Sequence, residues 1–165
     1  MKKILFAILM MAPLSLFAQK FAHFNSADII PNMKEYVAAQ TEIETLGKQY
    51  KEDLDRMQAE LQKKSEEFQK EEANLLDNVK QRRQQALQDL YNRILQTNQD
   101  NQQSLEKVQA EKLQAIQQLV MEAIKKVGEA GGYIYIVDTS NGLIPFVNPA
   151  MSTDVSAEIK KALGM

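Results

Sequence analysis

The sequence contains no cysteine, and His23 is its only histidine. The absence of cysteine excludes disulfide bonds, lipid attachment at a cysteine and thiolate metal sites. No glycine-rich phosphate-binding loop is present either, so we expect no ATP site and no other cofactor. Because no nucleophile can be paired with a base or a metal cluster, we predict that the chain is not an enzyme. We interpret His23 as a packing residue of a strand.

Proline and glycine are nearly absent from the middle of the chain. Between Pro31 and Gly131 there is no proline, and Gly47 and Gly128 are the only glycines. The stretch is rich in Gln, Glu, Lys, Leu and Ala, which are all strong helix formers. It therefore predicts a very long helical run that is too polar to be the core of a compact domain.

Long apolar runs are also lacking, except at the start of the chain. Lys2 and Lys3 precede an apolar run at residues 4–16. This order is typical of a secretory signal peptide at residues 1–18, and we expect cleavage near Ala18. The run is shorter than the roughly 20 residues that a membrane span needs. A small exported chain without disulfides usually gains stability by oligomerisation.

The charge of the chain is small and mixed. The chain contains 20 Lys and Arg residues and 22 Asp and Glu residues, which gives a formal net charge of −2. General affinity for nucleic acid comes from clustered basic residues, so we expect no nucleic-acid partner. Within the helical run, pairs such as Glu60 and Lys64 have the spacing that supports a solvated helix face.

The apolar residues of the helical run recur at spacings of three and four. In the first half they are Ile43, Leu46, Tyr50, Leu54, Met57, Leu61 and Phe68. In the second half they include Leu87, Leu90, Ile94, Leu105, Val108, Ile116, Leu119, Ala123 and Val127. Such a narrow stripe is typical of a coiled-coil seam, not of the wider face of a globular helix. Each arm therefore needs a partner helix along its length.

Short β-like segments at residues 20–24 and 133–137 flank the helical run. Strands need neighbours in a sheet, so a shared sheet would require the run to fold back on itself. Arms of equal length place this turn near residues 78–84. A turn at residues 96–104, which carry no apolar side chain, would leave the second arm too short to return. We interpret residues 96–104 as a weak stretch of the returning arm that opens first.

The segments 19–32 and 131–165 predict a small β-rich head with a C-terminal helix. Residues 133–137 are β-branched and aromatic throughout, which favours a central strand buried on both faces. Residues 143–147 are expected to form a second strand, at an edge because of Pro145. Ser156 is expected to cap the last helix. A head of this size buries little apolar surface in its own core, so we expect several heads to associate.

The predicted fold class is therefore α+β, mostly α. A long antiparallel helical hairpin, a coiled-coil tentacle, occupies residues 33–130 and is inserted in the small β-rich head.

Four segments resemble the Skp (OmpH) family of periplasmic chaperones, in the family's order. Residues 20–25, Lys-Phe-Ala-His-Phe-Asn, resemble the family's opening strand. Residues 29–36 are similar to its I-L-x-x-M-P-E-Y signature, although the proline is displaced to Pro31. Residues 132–138, Gly-Tyr-Ile-Tyr-Ile-Val-Asp, resemble its G-Y-D-x-V-x-D strand, and residues 154–159 resemble its D-I-T-x-x-V helix start. The resemblance covers nearly the whole mature chain.

The resemblance implies a periplasmic homotrimer in which three heads form a barrel-like body and three helical arms surround a cavity. It implies an ATP-independent holdase that binds unfolded outer-membrane β-barrel proteins. Such clients aggregate through exposed strand edges and apolar patches. Mobile, mostly polar arms would hold them in solution by many weak contacts.

One departure from the family concerns charge, because its well-known members are strongly basic. The only basic cluster of the arm is Lys80, Arg82 and Arg83, at the predicted turn. It is interpreted either as a solvated helix end or as a tip that contacts clients or, transiently, an anionic membrane surface. Two other functions stay open: a periplasmic coiled-coil adaptor or tether without chaperone activity, and a hydrolase or binding enzyme with a helical insertion. The missing His, Cys and metal clusters disfavour the enzyme.

Overall fold

The computed structural model describes residues 19–165, so the predicted signal peptide lies outside the described residues. Their strands are β1 (Lys20–Phe24), β2 (Tyr133–Asp138) and β3 (Ser152–Asp154), and their helices are α1 (Lys34–Glu71), α2 (Asp77–Gly131) and α3 (Ser156–Ala162). The chain is thus α+β and mostly α, as predicted. Its described residues form two compact units, one of residues 19–29 and 120–165 and one of residues 30–119.

Helices α1 and α2 contain 38 and 55 residues. At about 1.5 Å per residue, they are about 57 Å and 82 Å long. Glu35 lies in the first turn of α1 and Lys70 in its last turn, where each charge interacts favourably with the helix dipole. The scarcity of helix breakers thus correctly predicted the helical run.

The break between the two helices lies at residues 72–76. A short 3-10 turn spans Glu72–Asn74, and Leu75 then adopts an extended backbone with φ −89° and ψ 145°. The predicted turn near 78–84 is therefore wrong, because these residues form the first turns of α2. Lysine, arginine and glutamine are strong helix formers, whereas asparagine is a weaker one and favours turns.

Three side-chain pairs join α1 to α2 within the unit of residues 30–119. They are Arg83 with Glu71 at 2.7 Å, Tyr50 with Ser104 at 2.9 Å, and Lys112 with Glu42 at 2.6 Å. In each pair the two residues are equally far from residue 77 along the chain. The helices therefore run antiparallel in one constant register over this length, which is the helical hairpin of the predicted fold class.

The seam of the hairpin is thinly covered. Phe68, Leu90, Ile94 and Ile116 are buried, but the other predicted seam residues of α1 remain half-buried; they are Ile43, Leu46, Tyr50, Leu54, Met57 and Leu61. A narrow seam between two helices has no third layer to cover its sides. The hairpin consequently leaves apolar surface accessible along its length.

Strand β1 is the centre of a three-stranded parallel sheet with the order β2-β1-β3. Ala22 and Phe24 of β1 are buried, whereas Ile134 and Tyr135 of β2 are 47% and 65% exposed. The prediction that residues 133–137 form a central strand buried on both faces is therefore wrong. β-Branched and aromatic residues favour strands at the edge and at the centre of a sheet alike, so composition does not distinguish the two.

Residues 143–147, which were predicted to form a strand, have no regular structure. Pro145 has no N–H to donate to a ladder, and the neighbouring Leu143 and Phe146 are 81% and 76% exposed. Instead, the short polar strand β3 pairs with β1. This pairing was missed because a three-residue polar segment carries little β-pattern.

Ser156 is the first residue of α3 and does not cap it. The capping position belongs to Val155, whose side chain makes no capping hydrogen bond. The Asp154 carboxylate, one residue earlier, accepts a hydrogen bond from the Ser156 N–H at 2.9 Å. The predicted helix is therefore present, but its predicted serine cap is wrong because an aspartate satisfies the first N–H.

Candidate functional site

The predicted basic cluster does not act as one unit. The Arg83 guanidinium forms an ion pair with Glu71 across the hairpin, and Arg82 Nε donates a hydrogen bond to the Asn78 carbonyl at 3.3 Å. Lys80 is half-buried. The bend therefore presents less positive charge than the sequence suggests, because an acidic partner compensates one of its three cations.

Leu76 lies at the bend and is 74% exposed. Its carbonyl accepts hydrogen bonds from Val79 and Lys80, both at 2.9 Å, and so starts helix α2. This places an apolar side chain beside the basic residues at the end of the hairpin. Sequence reasoning assigned no role to Leu76, because the turn was expected after it.

An open groove of about 610 Å³ lies on one side of the hairpin, next to the bend. We call it the amide groove, because half of its lining residues are glutamines. It is lined by Gln58, Leu61, Gln62, Ser65, Glu66, Gln69, Gln84, Leu87, Gln88 and Tyr91. Glu66 is the only ionised side chain among them, and its carboxylate accepts a hydrogen bond from Gln62 at 3.0 Å.

The other side of the same hairpin stretch carries many charged residues around the apolar side chains of Phe68, Ala86, Leu87 and Leu90, and we call it the charged face. Its charged residues are Glu60, Lys64, Glu67, Glu71, Arg83, Asp89 and Arg93. Arg83 pairs with Glu71 and Lys64 pairs with Glu60, each at 2.7 Å. Most of this face can therefore be saturated by its own ion pairs. Sequence reasoning did not separate the two faces, although the spacing of the glutamines carries the signal.

The seam contains a polar layer in the middle of the hairpin. The hydroxyl groups of Tyr50 and Ser104 are hydrogen-bonded at 2.9 Å. Nearby in sequence, Asn101 Nδ2 is buried and has no hydrogen-bond partner among the described residues. A buried donor without a partner loses its hydration without compensation. Residues 96–104 are helical throughout, and their early opening stays a prediction.

In the unit of residues 19–29 and 120–165, Asp138 joins the end of β2 to the segment after β1. Its carboxylate accepts hydrogen bonds from the Ser26 N–H, the Ser26 hydroxyl and the Ser140 N–H at 3.1, 2.6 and 2.9 Å. Partial burial raises the pKa of Asp138, but the hydrogen bonds from Ser26 and Ser140 outweigh it and lower that pKa below its ordinary value. This contact is structural.

His23 lies on the central strand and is half-buried, with its Nδ1 2.9 Å from the Ser152 hydroxyl of β3. The neighbouring Asp154 has a lowered pKa, chiefly because of hydrogen bonds from Ser156 and to a lesser extent because of His23. His23 thus joins two strands of the sheet. No group of three or more potential metal-ligating residues was found among residues 19–165.

The same unit exposes five large apolar side chains, which we call together the head patch. It consists of Ile134, Tyr135, Leu143, Phe146 and Met151, which are between 47% and 81% exposed. Tyr135 stacks on Phe21, with ring centroids 6.3 Å apart. Strand β2 is an edge of the sheet. Exposed apolar side chains at an unpaired strand edge are typical of an association surface.

These features define a class of protein: a mostly helical α+β chain in which a long hairpin is inserted between two strands of a small parallel sheet. The family model of OmpH-like outer membrane proteins matches residues 20–163. The chain therefore belongs to the OmpH-like family, which confirms the resemblance identified from the four sequence segments.

The structural comparison supports the same fold. A crystal structure of a candidate OmpH-like outer membrane chaperone from Caulobacter crescentus CB15 is similar to this chain with a TM-score of 0.76 and 18% identity. The similarity covers 88% of this chain and 83% of that one. No curated protein matches the sequence. Among the described residues, no helix is long and apolar enough to cross a membrane.

Proposed function

We propose that the protein is an ATP-independent periplasmic holdase that binds unfolded outer-membrane β-barrel proteins and prevents their aggregation. The observation that carries the proposal is the long helical hairpin, in which many seam residues stay half-buried between mostly polar surfaces. Membership of the OmpH-like family supports it. In this function the signal peptide directs export, and cleavage near Ala18 releases the mature chain.

Binding needs no catalytic residue in this proposal. An unfolded β-barrel protein exposes alternating apolar side chains and unpaired backbone groups. Each half-exposed side chain of the hairpin offers a small apolar contact, and many such contacts together hold the client while each one remains reversible. The charged and amide groups around them keep the loaded complex soluble.

Three chains are proposed to assemble through their heads, so that the arms surround one client. The head patch supports this assembly, because Tyr135, Phe146 and their neighbours would lose contact with water in an oligomer. The number of chains comes from the family resemblance. Light scattering of the purified mature protein measures it directly, and a monomeric mass would contradict the proposal.

The bend is proposed to contact clients or, transiently, an anionic membrane surface. Arg83 is compensated by Glu71, so Lys80 and Arg82 would supply most of the attraction, and Leu76 would supply an apolar contact. Neutralising Lys80, Arg82 and Arg83 together should weaken sedimentation with anionic vesicles. Unchanged binding would show that this end of the hairpin is only a solvated helix end.

The holdase proposal is tested by diluting a urea-unfolded outer-membrane β-barrel protein into buffer and following its turbidity. The protein should suppress aggregation without ATP, and a soluble coiled-coil protein of similar length is the control. An oligomer that fails to suppress aggregation would favour the alternative, a periplasmic adaptor or tether. A tether needs a rigid, continuous seam, so the polar layer at Tyr50, Asn101 and Ser104 argues against it.

A further inference from the structure

We propose that the amide groove is the surface of the hairpin that binds an extended segment of unfolded polypeptide, while the charged face stays in solvent. This inference rests on the proposed holdase function and deepens it, because it names one side of the hairpin as the contact surface. Both sides belong to the same stretch of the same two helices. The two sides therefore differ only in the side chains that line them, not in the helices that form them.

The floor of the amide groove suits the side chains of an extended chain. Leu61 and Leu87 are half-buried there, and Tyr91 is 48% exposed. Leu95, one turn further along α2, is 52% exposed. Tyr91 and Leu95 are about 6 Å apart along the helix axis, and alternate side chains of a strand are about 6.5–7 Å apart. Two apolar side chains from one face of a strand can therefore contact both residues.

The rim of the groove suits the backbone of an extended chain. The glutamine amides of its rim each carry an N–H donor and a carbonyl acceptor; they are Gln58, Gln62, Gln69, Gln84 and Gln88. An unfolded strand presents unpaired N–H and C=O groups that need such partners when water is displaced. Uncharged amides provide them with a smaller desolvation penalty than ionised groups would have.

The charge of the groove argues against other ligands. No lysine or arginine lines it, so it lacks the cations that bind the phosphates of nucleic acid or anionic lipid. On the charged face, the pairs Arg83–Glu71 and Lys64–Glu60 already satisfy each other. A client seated there would have to displace them. The competing occupant of the amide groove is a helix from a second copy of this chain.

Site-specific photo-cross-linking separates these possibilities. A photoreactive amino acid is placed at Gln88, in the amide groove, or at the adjacent Asp89, on the charged face. With the unfolded β-barrel protein present, we expect cross-links to this client mainly from position 88. Equal yields from both positions, or cross-links from position 88 to a second copy, would overturn the inference. Failure of the unsubstituted protein to suppress aggregation would instead overturn the proposed function.

A matched pair of double variants provides a second test. Tyr91→Ala with Leu95→Ala removes one exposed apolar residue of the groove and the one a turn beyond it, and Leu113→Ala with Met121→Ala removes two exposed apolar residues of α2 that belong to neither the groove nor the predicted seam. The first should weaken client binding on the order of tenfold, because each side chain loses apolar contact area. The second should change it little. Equal losses would contradict the inference, provided that circular dichroism and oligomer mass are unchanged in both variants.

Salt dependence gives an independent readout. Because the groove carries one charged residue, raising the salt from about 0.1 M to about 1 M should not weaken binding, although it screens charge–charge attraction. Binding that becomes tenfold or more weaker over this range would show that charged residues hold the client, and it would overturn the assignment to the amide groove.

Discussion

The buried amide of Asn101 allows a quantitative prediction about the pliability of the arm. Its Nδ2 has no hydrogen-bond partner among the described residues, and such a group destabilises its surroundings by about 1–3 kcal/mol. In the variant Asn101→Leu this penalty disappears, and the leucine adds roughly 1 kcal/mol from partial burial in the seam. Local opening around residue 101 should therefore become about 2–4 kcal/mol less favourable.

Hydrogen exchange measured by mass spectrometry checks this number. At 1.4 kcal/mol per factor of ten, amide exchange in peptides covering residues 96–108 should slow by about 30- to 700-fold. Asn98→Leu is the matched control, because it makes the same substitution in the same stretch at an exposed position. Equal slowing in both variants would show that the slower exchange comes from the higher helix propensity of leucine and not from the removal of the buried amide. Unchanged or faster exchange in Asn101→Leu would refute the claim that Asn101 weakens the seam.

Three further predictions concern the head. Asp138 and Asp154 have lowered pKa values in the fold. The stability that they contribute is therefore present above about pH 4 and is lost as the pH falls through the lower folded pKa values. The variant Asp138→Asn should make the melting temperature depend less on pH in this acid range. Gly132 has φ +64°, so Gly132→Ala should destabilise by about 1 kcal/mol in urea unfolding, and no change would contradict the strain argument. Tyr135→Lys should reduce the oligomer mass in light scattering, whereas exposed Lys161→Ala should not.

The sequence was most informative about the arm. The scarcity of proline and glycine predicts helix directly, because these two residues disfavour helix most. The seam spacing then predicts a paired helix, and the constant register from Glu42–Lys112 to Glu71–Arg83 agrees with it. The position of the bend was predicted too late, because arms of equal length placed it near residues 78–84. The bend instead follows the weak helix former Asn74, with an extended backbone at Leu75.

The head was predicted less well, because strand order depends on contacts between distant segments. Tyr135 has a strong strand preference wherever its strand lies, and only the pairing of β1 with both β2 and β3 places it at an edge. The two faces of the hairpin were missed for a similar reason. Gln88 and Asp89 are adjacent in sequence, but they line opposite sides once α1 packs against α2.

If the protein holds an unfolded β-barrel client in solution as proposed, the two form a complex whose mass can be measured. The purified mature protein and a urea-unfolded outer-membrane β-barrel protein are mixed, the urea is diluted, and the soluble fraction is passed over a sizing column with light-scattering detection. We expect one soluble particle with the mass of one client plus one oligomer of this chain. Recovery of the free oligomer alone, with the client in the pellet, would contradict it.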